Sequence, residues 1–148
     1  MNPSKILVRP MKIEDVAAVA QLATQLGYPS TAAQIEHRFH ALEKSPDDRV
    51  LVAEAPDGAV VGWIHVFGRR MLESDADAEI GGLVVDEAAR GRGTGSALMK
   101  SAEAWARERG YDEVSVRTNV IRVEAHEFYK SRGYQVLKSQ YKLRKNLS

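Results

Sequence analysis

Apolar residues recur along this chain with two spacings, one typical of helices and one typical of strands. The helical spacing predicts helices at 13–26, 31–43 and 94–109, and a shorter one that begins at Val120 or Ile121 and ends at Ser131. Apolar runs and alternations predict strands at 5–9, 49–55, 59–67, 80–85, 113–117 and 134–143. The predicted order of elements is therefore β-α-α-β-β-β-α-β-α-β.

Turn-forming residues separate these segments. Pro56-Asp57-Gly58 lies between two extended runs and predicts a hairpin. Ser30 or Thr31 is a candidate cap for the second helix. The polar run 68–76 predicts a loop before the strand at 80–85. An antiparallel meander followed by β-α-β implies an α/β fold with a mixed sheet and helices on both faces.

The composition is that of an ordinary soluble globular protein, with 28% charged and 44% hydrophobic residues in a chain of 148. This length fits a single domain, 1–148. A net charge of +1 gives no reason to expect a nucleic-acid partner. No apolar run approaches the roughly 20 residues of a membrane span, and no signal-peptide pattern appears, so we expect a cytoplasmic protein with no membrane partner. The chain has no cysteine, which excludes a disulfide framework, a Cys metal site and a cysteine nucleophile.

A glycine-rich turn joins the strand at 80–85 to the following helix. It reads Arg90-Gly91-Arg92-Gly93-Thr94-Gly95, and Ser96 comes next. A helix start presents unpaired N–H groups and the positive end of the helix dipole, and glycine lets an anion approach the backbone closely. The two arginines add charge and paired donors. The turn therefore predicts a pyrophosphate site.

Two common nucleotide motifs do not fit this turn. GxxxxGK[ST] is absent, and the glycines are spaced GxGxG rather than GxGxxG. The second motif also needs an acidic residue at the end of the next strand, whereas Asp112 precedes that strand. A nucleotide-binding oxidoreductase is therefore disfavoured. A turn that merely connects a strand to a helix is the other alternative.

Arg90-x-x-Gly93-x-Gly95 resembles the R/Q-x-x-G-x-G/A signature of the GNAT family of N-acetyltransferases, which bind the pyrophosphate of acetyl-CoA in this way. Phe128-Tyr129-x-x-x-Gly133-Tyr134 resembles a second motif of the family, and the resemblance extends over 8–141. It implies the GNAT fold, acetyl-CoA as co-substrate without a metal, and direct acetyl transfer to a primary amine of a small molecule or peptide. A non-catalytic CoA-binding or sensing domain on the same fold is the alternative.

The resemblance assigns cofactor contacts to several residues. Backbone N–H groups of 91–96 would bind the pyrophosphate, and the backbone of Leu83, Val84 and Val85 would pair with the pantetheine arm as a further strand does. Gly81-Gly82 fits the β-bulge that opens this strand in the family, although close packing against a helix is an alternative. By the same resemblance the Leu83 N–H would stabilise the oxyanion. Asn119 would contact the arm.

The resemblance also implies a proton donor. Tyr129 matches the tyrosine that protonates the departing thiolate in the family, and a phenol with a pKa near 10 suits an alkyl thiol. The alternative is an aromatic residue that only packs the helix, which is how we interpret Phe128.

Two residues are candidates for the general base. Glu79 lies four residues before Leu83, where several small-molecule members of the family carry a carboxylate, but an ordinary surface charge is the alternative. Alternation places it on one face with Gly81, Leu83 and Val85 if the bulge does not reset the order. Many relatives carry Glu-Asp where Gly81-Gly82 stand here. His65 is the rival base, since a histidine ordinarily titrates near pKa 6.5.

The acceptor should enter beside the first two helices, around 26–31, and the loop 69–77. Acidic residues in that loop would attract a cationic amine such as a polyamine, an aminoglycoside or a basic peptide, although Arg69 and Arg70 cancel part of the charge. Members of the family often form dimers, and the strand at 134–143 offers a pairing edge for a homodimer.

Overall fold

The structure, a computed structural model, describes residues 5–118 and 120–148. Asn119 lies outside the described residues, so its contact with the pantetheine arm stays a prediction. The chain divides into two compact units, the first ending at Val116 and the second beginning at Arg117. Each unit is described by itself, and the single domain stays a prediction. Among the described residues, no helix combines the length and the apolar character that a membrane crossing requires.

The described part of the first unit holds the sheet and three of the helices. The strands are β1 (Leu7–Pro10), β2 (Asp48–Glu54), β3 (Val60–Met71), β4 (Ser74–Val85) and β5 (Val114–Val116). The helices are α1 (Val16–Leu26), α2 (Ala32–Glu43) and α3 (Thr94–Glu108), with short 3₁₀ turns at Ile13–Asp15 and Glu87–Ala89. The second unit contains α4 (Val123–Ser131).

The sheet has the mixed topology that the element order predicts. Its strands lie in the order β1-β2-β3-β4-β5. The first three pairings are antiparallel, and β5 runs parallel to β4. The β4–β5 pairing is short and ends where Ile80 pairs with Val116.

Helices cover both faces of this sheet. On one face, α1 and α2 bury a cluster of Met11, Val16, Val19 and Phe39 against Val52 of β2, with Trp63 of β3 packed beside it. The residue before Trp63 faces the other way, because side chains alternate along a strand. At that residue, Gly62, a Cβ would lie 3.1 Å from Leu98 of α3. Helix α3 therefore packs on the opposite face, as predicted.

Helix α2 begins with a capping box. The Thr31 hydroxyl accepts the backbone N–H of Gln34 at 3.1 Å, and the Gln34 amide oxygen accepts the backbone N–H of Thr31 at 3.0 Å. Two of the backbone donors at this helix start are thereby satisfied. The cap is therefore Thr31 rather than Ser30.

The loop predicted at 68–76 is wrong. Strand β3 continues to Met71 and β4 begins at Ser74, so the two strands form a long hairpin arm closed at Leu72 and Glu73. The outer part of the arm is held by ladder pairing and by an ion pair between Arg69 and Asp77 at 3.2 Å. Its polar residues reflect exposure and not the loss of strand pairing.

The strand predicted at 134–143 is also wrong. Residues 134–148 have no helix or strand in the described structure. The alternating apolar positions in this segment, Val136 and Leu137 among them, are exposed. Alternation shows that a segment is able to pair, whereas a strand exists only where a partner edge is present.

An ion-pair network fixes the start of α1 to the first strand. Arg9 donates two hydrogen bonds to the Asp15 carboxylate, at 2.8 and 2.9 Å, and a longer one of 3.3 Å to Glu54. Asp15 is 6% exposed and also accepts the backbone N–H of Lys12 at 2.8 Å. Both carboxylate oxygens of the buried Asp15 therefore have hydrogen-bond donors at the point where the chain leaves β1.

Candidate active site

A β-bulge in β4 lies where the paired glycines predict one. His65 of β3 pairs with Gly82, but the next residue, Val66, pairs with Ile80. Gly81 is therefore the extra residue, without a partner on β3. A bulge of this kind bends the strand and interrupts the alternation of its side chains.

The bulge explains why both positions are glycine. A Cβ on Gly82 would lie 2.9 Å from two ring carbons of Trp63. A Cβ on Gly81 would lie 2.9 Å from Nδ1 of His65 and 3.2 Å from a ring carbon of Phe67. Both glycines therefore face the aromatic row of β3 on the α1/α2 side of the sheet. The alternative, in which the glycines pack closely against a helix, does not describe this contact.

The bulge also resets which residues of β4 share a face. Glu79 is paired with Phe67, so it lies on the same face as the aromatic row. Leu83 is paired with Ile64, which lies on the α3 face, and Val85 follows Leu83 by two residues. The common face of Glu79, Gly81, Leu83 and Val85 was expected only if the bulge did not reset the order, and the extra residue does reset it by turning the last two to the other side.

Strand β4 has an open edge after the bulge. Its pairing with β3 continues to Val85, whereas its pairing with β5 ends at Ile80. Within the described residues, the β5 side of 81–85 thus has no strand partner. Backbone N–H and C=O groups on such an edge are available to an extended ligand.

The glycine-rich turn leads from this edge into α3. Gly91 and Gly93 have φ of +79° and +81°, a backbone conformation that favours glycine. The first helical bond of α3 runs from the Ala97 N–H to the Gly93 carbonyl at 3.0 Å. Earlier N–H groups of the first turn have no carbonyl of the helix to bond, and that turn holds no acidic residue. An anion at this turn would therefore find unpaired N–H donors and no acidic side chain of the turn to repel it.

Three side chains around this turn differ in what they contact. Nε of Arg90 donates to the Val85 carbonyl at 3.1 Å, which ties the turn to the end of β4. Arg92 is exposed. Thr94 is 2% exposed, and its hydroxyl has no hydrogen-bond partner among the described residues. The structure thus brings the predicted residues 90–96 together at one helix start.

Glu79 lies beside a guanidinium. Its carboxylate is 3.5 Å from Nε of Arg69, which also contacts Asp77 at 3.2 Å. The Glu79 side chain is only 12% exposed. The structure therefore places the predicted base in a partly buried ion pair with Arg69.

His65 makes a hydrogen bond that the sequence did not predict. Its Nε2 lies 2.7 Å from Oδ1 of Asp48 on β2, and its ring packs 5.4 Å from Phe67. Asp48 immediately precedes the strand predicted at 49–55, although the alternation of Asp48, Val50 and Val52 indicates that it belongs to β2.

Tyr129 lies on α4 in the second unit, among aromatic rings. Its ring packs edge-on against Phe128 at 5.2 Å and Tyr134 at 5.9 Å. Burial raises the pKa of the Tyr129 phenol above its ordinary value, and the charge of Arg122 lowers it in part. The phenol is therefore protonated throughout the neutral range.

Comparison with known proteins decides the family. The profile of the Acetyltransferase (GNAT) family matches residues 16–134. The chain belongs to the GNAT family. GNAT enzymes use acetyl-CoA, and N-acetyltransferase activity follows from the family and its named relatives.

Two curated relatives of this GNAT protein carry the same name, aminoglycoside N(6′)-acetyltransferase type 1. The one from Klebsiella aerogenes is 32% identical over 139 residues, 88% of this chain and 90% of the relative. The one from Stenotrophomonas maltophilia is 30% identical over 139 residues, 91% of this chain and 90% of the relative. An aminoalkylphosphonate N-acetyltransferase from Salmonella typhimurium is 38% identical over 80 residues, 53% of this chain and 52% of that enzyme.

Solved structures support the GNAT fold. An aminoglycoside 6′-N-acetyltransferase from Acinetobacter baumannii superposes with a TM-score of 0.85 at 15% identity, over 97% of this chain and 99% of that one. An aminoglycoside N-acetyltransferase in complex with CoA gives a TM-score of 0.84 at 17% identity, over 95% of this chain and 94% of that one. The predicted fold class is confirmed.

The packing at the bulge gives a stability prediction. Gly82→Ala should lower the free energy of unfolding by about 1–3 kcal/mol, because the new methyl group forces Trp63 to move. Trp63→Phe removes the clashing ring carbons, so adding Gly82→Ala in that background should cost less. Urea unfolding of the four proteins in this double-mutant cycle measures the coupling. Equal costs in both backgrounds would contradict the assigned contact.

Proposed function

We propose that this protein transfers the acetyl group of acetyl-CoA directly to a primary amine that is cationic at neutral pH. The observation that carries the proposal is the open edge of β4 at 81–85, which leads straight to the start of α3. An extended arm on that edge and a pyrophosphate at the helix start fit the two ends of one cofactor.

Residues of the first unit are proposed to hold the cofactor. The backbone of Leu83, Val84 and Val85 pairs with the pantetheine arm, and the N–H groups of 91–96 bind the pyrophosphate. Arg92 adds a positive charge that no described side chain neutralises by an ion pair within 4.0 Å. The GNAT resemblance adds Asn119 as a contact of the arm.

The GNAT resemblance assigns three roles in the proposed chemistry. Glu79 is the general base that takes a proton from the acceptor nitrogen, directly or through water. The Leu83 N–H stabilises the oxyanion, and Tyr129 protonates the departing thiolate. These three roles are transferred from the GNAT family by motif position, and the ion pair with Arg69 fixes the position of the Glu79 carboxylate.

An aminoglycoside is the leading acceptor class. Two relatives over about nine-tenths of the chain are named for aminoglycoside acetylation. Exposed acidic residues near the tip of the hairpin arm, Glu73 and Asp75, would attract such a polycation.

A homodimer remains a separate proposal that sedimentation would test.

A thermal-shift titration with acetyl-CoA, NAD and ATP tests the cofactor site. A ligand that binds only the folded protein raises its stability by RT ln(1 + [L]/Kd). We expect a shift with acetyl-CoA alone, and a shift with NAD or ATP instead would contradict the proposal. A thiol reagent then follows CoA release with an aminoglycoside, spermidine and an aminoalkylphosphonate as acceptors, with no protein thiol to interfere. Acetyl-CoA binding without CoA release would favour the non-catalytic alternative.

The acidic arm predicts a salt effect on the acceptor. The KM for a polycationic amine should rise by about threefold to tenfold as ionic strength increases from roughly 0.02 to roughly 0.5 M, because salt screens exposed charges. Initial rates at saturating acetyl-CoA measure this. The double variant Glu73→Gln, Asp75→Asn should show a weaker dependence. A KM independent of salt would remove the charge-attraction argument.

A further inference from the structure

We propose that His65, held by Asp48, is a second proton acceptor of the acetyl-transfer site. The inference rests on the proposed function, since it assigns a role within that reaction. Glu79 keeps its role as the base that acts during attack. His65 takes the proton that makes the amine a nucleophile.

The chemistry of a cationic acceptor needs two proton acceptors. An ammonium nitrogen gives up one proton before it can attack the thioester carbonyl. As the C–N bond forms and the C–S bond breaks, the nitrogen loses a second proton. The thiolate takes one proton from Tyr129, so each turnover releases one proton to solvent. A single carboxylate that accepts both protons would have to release the first before it could accept the second. Two bases can each accept one proton.

The contact with Asp48 determines which nitrogen of His65 is basic. A carboxylate only accepts hydrogen bonds, so Nε2, 2.7 Å from Oδ1 of Asp48, carries the ring proton. The lone pair of the neutral ring is then on Nδ1. The same hydrogen bond keeps the ring in this tautomer and orientation. Asp48 is therefore a positioning residue.

The position of Nδ1 places this lone pair at the bulge. It lies 2.9 Å from the site where a Cβ on Gly81 would be, and Gly81 itself is exposed. No described residue hydrogen-bonds Nδ1. Any side chain at Gly81 would cover this nitrogen, so the glycine keeps it accessible beside the open edge of β4.

The His65 side chain is partly accessible to solvent and is held in a fixed orientation. It is 22% exposed and Asp48 is 20% exposed, so the pair is partly shielded from water. The tilted contact with Phe67 at 5.4 Å fixes the plane of the ring. A histidine on a rigid strand, with one nitrogen bound and the other open, is organised for proton transfer.

The test compares His65→Ala and Asp48→Asn with a matched control, His40→Ala. His40 also contacts carboxylates, Glu43 at 2.9 Å and Glu36 at 3.8 Å, but it lies half-exposed on α2. Rates are measured with the amine of the panel above that wild-type protein acetylates fastest. Circular dichroism and the thermal shift with acetyl-CoA check that each variant folds and binds cofactor.

We expect His65→Ala to lower kcat about 100-fold, with the KM for acetyl-CoA unchanged. Added imidazole should restore part of the lost kcat. Imidazole would not restore activity if His65 had only a structural role. Asp48→Asn should give a smaller loss of kcat, Asp48→Glu should recover part of it, and His40→Ala should have no effect. Wild-type kcat in His65→Ala, or a loss that imidazole does not relieve, would overturn the inference alone. Wild-type protein that acetylates no amine would contradict the proposed function as well.

Discussion

Tyr129→Phe should lower kcat by about 100-fold or more while leaving acetyl-CoA affinity nearly unchanged. The substitution removes only the phenol oxygen. The ring that packs against Phe128 and Tyr134 is retained, so α4 should keep its structure. Because burial raises the pKa of Tyr129, the wild-type phenol is protonated at neutral pH and can donate.

Steady-state kinetics with saturating amine measure the kcat of this variant, and calorimetric titration measures its CoA affinity. Tyr141→Phe is the matched control, since Tyr141 is a fully exposed tyrosine of the same unit. It should behave as wild type. If Tyr129→Phe turned over at the wild-type rate, the assigned role would be lost.

Asp15→Asn should lower the free energy of unfolding by about 3 kcal/mol, the lower end of the cost of breaking a buried ion pair, because Glu54 still faces Arg9. The asparagine amide would also turn a donor toward the Arg9 donors. For a chain of this size the loss corresponds to roughly 6–12 °C in Tm. Glu14→Gln removes the same charge from an exposed neighbour and should change Tm little.

The cost of Asp15→Asn should depend on pH with a defined sign. The hydrogen bonds from Arg9 are the main cause that holds the pKa of Asp15 below its ordinary value. A carboxylate with a lowered folded-state pKa stabilises the protein above its unfolded pKa, about 3.9, and this contribution is lost as the pH falls through the folded pKa. Urea unfolding from pH 7 to pH 3 should show the two proteins converging. A constant difference would contradict the role of the Asp15 charge.

Local signals were sufficient for most of the fold. Ser30 or Thr31 is the predicted cap of α2, where the structure selects Thr31, and Pro56-Asp57-Gly58 predicts the β2–β3 hairpin, because caps and turns satisfy the backbone within a few residues. The bulge at Gly81 was predicted from the paired glycines within an apolar strand and from the GNAT resemblance. All three interpretations are confirmed by the structure.

Features that depend on distant partners were not predictable in the same way. The outer arm, with Arg69 opposite Asp77, looks like a loop because it is polar, yet its backbone is paired. The segment 134–143 looks like a strand because it alternates, yet it has no strand structure. Polarity and alternation report exposure, whereas pairing depends on where another strand lies.

The candidate site shows the same division. The turn 90–96 and Tyr129 were found from short motifs, although their roles remain predictions. The role of Asp48 was missed because its contact with His65 joins two different strands, β2 and β3, and neither residue belongs to a sequence motif. The bulge was expected, but the sequence did not show whether it would separate Glu79 from Leu83, because one inserted residue reverses every later side chain.

The short pairing of β4 with β5 has a consequence for the protein between turnovers. A cofactor arm that pairs with 81–85 would act as a removable strand, so the sheet would gain an edge each time CoA departs. Uncovered edges are the positions at which sheets join wrongly to other chains. Bound acetyl-CoA would then protect the enzyme from self-association in addition to serving as its substrate. The solubility of the enzyme would be lowest when the cofactor is absent.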